Sequence, residues 1–99
     1  MQAGGFCASV ARRNGVVVVR VAGELDLANA PQLQEVLRTC HGPTVVDCTD
    51  LTFIDSSGIA TLVEAHRSNG TITLRHLTPM CRKVIDIGGL KRLVALEER

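Results

Sequence analysis

The segment LTFIDSSGIATLVEAH, residues 51–66, contains the junction that decides the fold of this chain. Its start is apolar, and after Gly58 apolar residues recur at helical spacing, so a helix begins near Asp55-Ser56-Ser57-Gly58. A helix start needs one capping side chain, worth about 1 kcal/mol. A glycine in the first turn costs roughly 0.5–1 kcal/mol relative to alanine. Capping therefore explains one of these four residues, and the others need a further reason.

The composition indicates one small globular domain over residues 1–99. Hydrophobic residues make up 45% of the chain and aromatic residues only 2%, so the core should be aliphatic. A net charge of +1 and the absence of Trp and Tyr argue against a nucleic-acid-binding protein. No apolar run approaches the roughly 20 residues that span a bilayer, and the N-terminus lacks a signal-peptide pattern. We therefore expect a cytoplasmic protein without a membrane partner.

The cysteines and histidines are scattered and form no close pair of metal ligands, so we expect neither a metal site nor a cofactor. Cys81 adjoins Arg82 and Lys83 in a predicted helix start, a setting that could lower a thiol pKa. Packing as small apolar residues is the preferred interpretation for all four cysteines. The residues in question are Cys7, Cys40, Cys48, Cys81, His41, His66 and His76.

Upstream of the junction, Asn14-Gly15 predicts an antiparallel hairpin between strands at 6–12 and 16–22. The second strand is rich in valine, and we expect it to be covered on both faces. Gly23-Glu24-Leu25-Asp26 is expected to break that strand.

The first helix is predicted to begin at Asn29, with Pro31 in its first turn and Gln32 completing a capping box. It should end at Gly42-Pro43, before a strand at 44–48. Its apolar face is expected to comprise Ala30, Leu33, Leu37 and Cys40.

Beyond the junction, the second helix ends at Asn69-Gly70, a strand covers 71–74, and Thr78-Pro79 begins a third helix. That helix should end at Gly88-Gly89, before a last strand within 90–96. The predicted apolar positions are Ile59, Leu62, Val63 and His66 in the second helix, and Val84 and Ile87 in the third. The order β-β-α-β-α-β-α-β predicts an α/β fold with an N-terminal hairpin, a mixed sheet and helices packed on it.

Two functional interpretations of the junction remain open. A serine nucleophile would need a base, yet His66 lies about two turns along the same helix and only His76 could approach. The pattern G-x-S-x-G is also absent, because Ile54 stands where the glycine should be. Alternatively, a partner modifies a hydroxyl: a phosphate adds about −1.5 to −2 charges at a helix start, where negative charge is favoured. Docking of another protein would then change while the fold persists.

The sequence VVDCTDLTFIDSSGIATLVEA, residues 45–65, resembles the signature of STAS domains, specifically bacterial anti-sigma factor antagonists. VRVAGELDLANAPQL, residues 19–33, looks like the strand, turn and first helix of that family. LTPMCRKVIDIGGLKRLV, residues 77–94, resembles its last helix and the Gly-Leu segment. The likeness extends from about Gly15 to Leu96.

This resemblance implies a phosphorylation-controlled binding protein and not an enzyme. In such antagonists the serine directly after the Asp, here Ser56, is phosphorylated by a partner anti-sigma factor that is also an ATP-dependent serine kinase. The unphosphorylated domain binds this partner and frees the sigma factor, the phosphorylated domain releases it, and a metal-dependent serine phosphatase resets the switch. The implied partner-binding residues are Gly23, Glu24, Leu25, Asp26, Asp55, Ser56, Ser57 and Gly58.

Physical reasons fit these assignments. Gly58 would remove a side chain from the docking edge and let a partner backbone approach, while Glu24 and Asp26 would add negative charge there, or serve simply as turn residues. A phosphate would intensify that charge and repel the partner. The alternative is a STAS adaptor subunit of a transporter or other complex, a class in which some members bind nucleotides. Family members usually carry a further C-terminal helix; it is expected to be short or missing before Arg99, leaving a monomer or weak dimer.

Overall fold

A computed structural model describes residues 5–87 and the backbone of residues 95–96, and it contains the predicted order of elements. The strands are β1 Phe6–Arg13, β2 Val16–Leu25, β3 Thr44–Ile54, β4 Ile72–Arg75 and β5 Ala95–Leu96. The helices are α1 Ala30–Arg38, α2 Ser56–Asn69 and α3 Pro79–Ile87. The strands lie side by side in chain order; β1 is antiparallel to β2, and each later pair is parallel. The predicted α/β fold is therefore confirmed.

The hairpin between β1 and β2 turns at Asn14-Gly15, as predicted. The backbone angle φ is 52° at Asn14 and 81° at Gly15. A two-residue turn of this kind needs positive φ at both positions, which asparagine and glycine tolerate best. The turn brings Arg13 opposite Val16 and so sets the register of the whole pair.

The hydrophobic core lies on one face of the sheet, beneath the helices. Along β2, Val17, Val19 and Val21 are buried, whereas Val18 is half-buried and Arg20 is exposed. The prediction that both faces of this strand are covered is therefore wrong, because the face that carries Val18 and Arg20 remains open to solvent among the described residues. The large buried side chains that the helices contribute are Leu33, Leu37, Leu62 and Ile85.

The opposite face of the sheet carries charged side chains that are paired across strands. Arg20 lies opposite Asp47; its Nε is 4.0 Å from Asp47 Oδ2, and its terminal nitrogen is 3.4 Å from Asp50 Oδ2. Thr49 donates to Asp47 Oδ1 through its hydroxyl at 2.6 Å and its amide at 3.0 Å. Burial alone would raise the pKa of Asp47, but the two Thr49 hydrogen bonds, with nearby His76 and Arg20, lower it below its ordinary value.

The predicted break of β2 at Gly23 is wrong. The strand continues to Leu25 through two shifts of register with β3. Gly23 has φ of 98°, and a Cβ there would lie 1.9 Å from the carbonyl oxygen of Gly5. Glycine is therefore required by a close approach of two backbones inside the sheet. As a result, residues 23–25 are held in the sheet beside the end of β3.

The start of α1 differs in mechanism from the predicted capping box. Asn29 is at the N-cap position, but its side chain makes no capping hydrogen bond and instead donates to the carbonyl of Glu24 at 2.7 Å. The Asp26 carbonyl accepts from the amides of Asn29 and Ala30 at 3.0 and 2.8 Å. The predicted burial of the apolar face of α1 and of Cys40 is confirmed.

The later helices keep their predicted positions with small corrections. Asn69 ends α2, and the Thr78 hydroxyl caps α3 by accepting from the amide of Cys81 at 3.3 Å. Ile87 is 79% exposed, so its prediction as an apolar packing position is wrong, and Cys81 and Ile85 are the buried residues of α3. The buried stripe of α2 is Gly58, Leu62 and Ala65, with the predicted Ile59, Val63 and His66 half-buried beside it. The predicted Gly88-Gly89 stop, the rest of the last strand and the C-terminal helix lie outside the described residues.

Candidate functional site

Ser56 is the first residue of α2, and its side chain is exposed at the edge of the sheet where the parallel strands end. β3 ends at Ile54, and Asp55 has φ of −121° and ψ of −171°, so the chain stays extended until the helix begins. The carboxyl ends of parallel strands are where α/β proteins commonly place functional groups. The predicted site residues all lie at this edge, which we call the carboxyl rim and define as residues 23–29 and 53–58.

Asp55 is the capping residue of α2. Its Oδ1 accepts from the amides of Ser57 at 2.9 Å and Gly58 at 3.2 Å, and its own amide donates to the carbonyl of Leu25 at 3.2 Å. The carboxylate therefore satisfies two of the amides that a helix start leaves without partners. One of the four residues that the junction combines is thus explained by capping, as the sequence suggested.

The neighbouring strand ends in a turn of the same design. Asp26 Oδ1 accepts from the amides of Ala28 at 3.0 Å and Asn29 at 3.1 Å. Asp26 and Asp55 each therefore bind the amides two and three residues further along the chain. Because Leu25 lies opposite Ile54 in the parallel register, the two turns stand side by side on the carboxyl rim.

Gly58 and Leu25 belong to the support of the rim and not to its surface. Gly58 is buried, and a Cβ there would lie 2.7 Å from Leu25 Cγ and 2.9 Å from Ile54 Cγ1. The interpretation that Gly58 clears space for a partner backbone is therefore wrong, since the glycine clears space for Leu25. Leu25 itself is 1% exposed, so its side chain offers no contact to a partner.

The remaining predicted residues reach the surface to different degrees. Ser56 is exposed, whereas Glu24, Asp26 and Ser57 are half-buried. The Ser57 amide binds Asp55, and its carbonyl accepts from the Thr61 hydroxyl at 3.1 Å. Of the two serines, Ser56 is the more exposed.

Two apolar side chains on the carboxyl rim were not singled out from the sequence. Leu27 is 75% exposed and Phe53 is 40% exposed. Leu27 directly follows Asp26 as Ser56 directly follows Asp55, so Leu27 and Ser56 take the same position in the two turns. Phe53 lies opposite Glu24 in the sheet. The repeated strand–Asp pattern was the signal that could have drawn attention to Leu27.

The rim has no cationic side chain in its own sequence or near it along the chain. Residues 21–37 and 48–66 contain no Lys or Arg, while they include Glu24, Asp26 and Asp55. Any negative charge added at Ser56 would therefore meet carboxylates and no neighbouring counter-charge from these two segments.

The histidines do not support a serine nucleophile at this site. His66 accepts a hydrogen bond from the amide of Ile72 at Nδ1, over 3.0 Å, and so stabilises the far end of α2. His76 directly follows Arg75, which lies opposite Asp47. Asp47 and Ile54 are seven residues apart in β3, about 20 Å at 3.3 Å per residue. His76 is therefore too far from Ser56 to act as its base.

Three of the four cysteines pack in the core, and Cys7 is exposed. Burial, reinforced by Cys81 and Asp47, raises the pKa of the Cys48 thiol to about 12. The Cys81 thiol is buried and contacts the carbonyl of Leu51 at 3.7 Å. The packing interpretation thus applies to Cys40, Cys48 and Cys81, and is wrong for Cys7.

Fold and rim together define a small α/β domain with an exposed serine at a helix start, directly after one of two carboxylates that cap adjacent turns. The family model described as "Mlab, STAS domain" matches residues 8–95, and the chain belongs to the STAS domain family. The resemblance seen in the sequence is thereby confirmed. Among the described residues, no helix is both long enough and apolar enough to span a bilayer.

Several of the similar proteins are anti-sigma factor antagonists. The chain is 28% identical over 90 residues to the anti-sigma-B factor antagonist of Bacillus subtilis, an alignment covering 84% of this chain and 83% of that protein. An anti-sigma factor antagonist from Mycobacterium paratuberculosis matches with a TM-score of 0.87 and 25% identity, covering 97% and 88% of the two chains. Bacillus SpoIIAA in its phosphorylated form shares the fold, with a TM-score of 0.68 and 23% identity over 94% and 93% of the chains.

Proposed function

We propose that this protein is a cytoplasmic anti-sigma factor antagonist that Ser56 phosphorylation switches off. Without phosphate, the carboxyl rim binds an anti-sigma factor that is also a serine kinase, and the sigma factor is freed. Phosphorylation of Ser56 by that partner releases it, and a metal-dependent serine phosphatase restores binding. The protein itself performs no catalysis in this scheme.

The exposed Ser56 hydroxyl at the start of α2 carries the proposal. A kinase must reach the acceptor oxygen, and the neighbouring Ser57 is half-buried with its backbone engaged by Asp55 and Thr61. The anti-sigma factor antagonists among the similar proteins, one of them solved in a phosphorylated form, support the proposed class of function.

The capping arrangement explains how a phosphate would alter the surface and leave the fold in place. The amides of Ser57 and Gly58 already bind Asp55. A phosphate on Ser56 would therefore extend from the rim into solvent, beside the Asp55 carboxylate, and not replace the existing cap. The added charge, about −1.5 to −2, changes what can dock without removing a contact that holds α2.

The supporting parts of the predicted site keep a role in this proposal. Gly23 and Leu25 hold the end of β2 against β3, and Gly58 lets Leu25 pack below the α2 start. The polar part of the surface that the partner meets is supplied by Glu24, Asp26, Ser56 and Ser57.

The first experiment identifies the partner and maps the modified atom. The tagged protein is used to capture binding proteins from its source organism, and the captured kinase is purified and incubated with the protein and ATP. Mass spectrometry is expected to find one phosphate, on Ser56, which is lost in Ser56→Ala and retained in Ser57→Ala. Modification at another residue, or capture of a transporter subunit in place of an anti-sigma factor, would contradict the proposal; the second result would favour the adaptor role.

A further inference from the structure

The carboxyl rim combines apolar exposure with the acceptor serine. Among the described residues, the large apolar side chains that are exposed are Val10, Leu27, Phe53, Met80 and Ile87. Leu27 and Phe53 belong to the rim, and Leu27 keeps 75% of its surface in contact with solvent. Exposed apolar surface that is rimmed by polar residues is the kind of surface that a protein partner covers.

Leu27 and Ser56 hold equivalent positions in two turns that stand side by side. Asp26 and Asp55 bind their following amides in the same pattern, and the Asp55 amide donates to Leu25. The residue after each aspartate is therefore presented in the same way on neighbouring strands. A partner that covers both turns would therefore contact Leu27 together with Ser56.

We infer that the anti-sigma factor docks by burying Leu27 and Phe53 against an apolar patch of its own, and that phosphate at Ser56 breaks this dry contact. The inference rests on the proposed function and specifies the chemistry of the partner surface. Apolar burial supplies the attachment, and the serine lies within the contact where a charge is least tolerated.

The charge distribution around the rim favours dehydration over simple repulsion as the way the switch works. Residues 21–37 and 48–66 contain no Lys or Arg, so these two segments, which include the rim, supply no cation to neutralise a phosphate. Burying an unpaired dianion against apolar groups carries a large desolvation penalty. A hydrated phosphate beside Leu27 would therefore keep the two apolar surfaces apart.

The first test compares rim variants with exposed apolar residues elsewhere. Leu27→Ser and Phe53→Ser are each expected to weaken the affinity for the purified anti-sigma factor by about tenfold or more, as measured by calorimetry. Ile87→Ser and Val10→Ser are the matched controls, because Ile87 is 79% and Val10 50% exposed and neither lies on the rim. They should bind as wild type does, and equal losses in all four variants would overturn the inference.

The second test separates dehydration from charge repulsion. The Ser56→Asp variant and phosphorylated wild type are titrated against the same anti-sigma factor at 0.1 and 0.5 M salt, by which the Debye length falls from about 10 Å to roughly 4 Å. Binding is expected to remain weak at both concentrations, while Ser56→Asn, which adds similar bulk without charge, binds much better than Ser56→Asp. Recovery of binding at high salt would show that repulsion dominates and would overturn this inference.

The outcomes distinguish the two proposals. If wild type captures no anti-sigma factor, the proposed function fails and the inference fails with it. If wild type binds and is released on phosphorylation, but Leu27→Ser and Phe53→Ser bind unchanged, the function stands and only the apolar contact is wrong. Circular dichroism of each variant confirms that the domain is folded before affinities are compared.

Discussion

The turns that lead into α1 and α2 are built alike and present different chemistry. In each, an aspartate after a parallel strand accepts hydrogen bonds from the amides two and three residues further on. The first turn then exposes Leu27, and the second exposes Ser56. The comparison shows that the aspartates serve the fold, so function is to be sought in the residue that follows each of them.

The third residue after each aspartate is where the two turns differ most in packing. Asn29 donates its side chain to the Glu24 carbonyl, whereas Gly58 is pressed against Leu25 and Ile54. The reason for glycine at position 58 is therefore steric, although helix propensity alone would favour alanine by roughly 0.5–1 kcal/mol.

The largest effect should come from Gly58→Ala. Its Cβ would lie 2.7 Å from Leu25 Cγ, and overpacking of this kind costs about 1–3 kcal/mol. We expect a lower free energy of unfolding in urea, against the propensity gain. Ala60→Ser, an exposed substitution in the same helix, serves as the control. A stabilised Gly58→Ala variant would show that the rim can relax and that packing does not explain the glycine.

Removing either capping carboxylate should have the next largest effect. Asp26→Ala and Asp55→Ala are each expected to lower the free energy of unfolding by about 1 kcal/mol, because each leaves two amides without their acceptor. The corresponding Asp→Asn variants keep an acceptor oxygen and should retain most of the stability. The comparison of the two turns breaks down if one Asp→Ala variant is neutral while the other unfolds the domain.

The hairpin and the helices could be predicted from the sequence because local signals mark them. Asn14-Gly15 needs no distant partner to turn, and the spacing of Leu33 and Leu37 identifies the buried face of α1 from the chain alone. The element order, and the family to which it led, followed from such signals. The role of Ser56 as phosphate acceptor stays a prediction.

What the sequence did not predict depends on contacts between distant residues. Gly58 is explained by contact with Ile54 and, above all, with Leu25, which lies 33 positions earlier and reaches it through the pairing of β2 with β3. Asn29 and Asp26 can both cap a helix, and only the backbone path decides which of them does. β2 continues through Gly23 because Gly5 approaches it, a contact that no local pattern reveals.

Asp47 in β3 shows part of the hydrogen-bond pattern of the two turns, and a substitution there tests whether that part alone stabilises the fold. It accepts from the Thr49 amide two residues on, and from the Thr49 hydroxyl, but begins no helix. Its folded pKa lies below the ordinary value of 3.8, so its contribution is complete above that pH and is lost as pH falls through the folded pKa. Asp47→Asn should therefore be less stable than wild type at pH 7, with a difference that shrinks below about pH 4.

Removing the hydroxyl that donates to Asp47 should produce the same pH dependence of stability as removing the carboxylate. Thr49→Val removes the hydroxyl that lies 2.6 Å from Asp47 Oδ1, so it should reproduce part of the Asp47→Asn difference at pH 7. In the Asp47→Asn background the Thr49 substitution should add little. A difference between wild type and Asp47→Asn that stays constant from pH 7 to pH 3 would show that the carboxylate is not responsible.

The smallest effect on stability is expected where the effect on function should be greatest. Ser56 is exposed, and its own amide is not one of the two that Asp55 binds. Ser56→Asp should therefore change the free energy of unfolding by no more than about 0.5 kcal/mol, and Leu27→Ser in the other turn should have a similarly small effect. The helix dipole favours the new charge, while the Asp55 carboxylate opposes it. A loss of several kcal/mol would mean that a phosphate acts by loosening α2. If Ser56→Asp leaves the free energy of unfolding almost unchanged but abolishes binding of the partner, the switch acts through the surface alone. Asp55 then keeps the turn in place while the residue after it changes the charge of the surface.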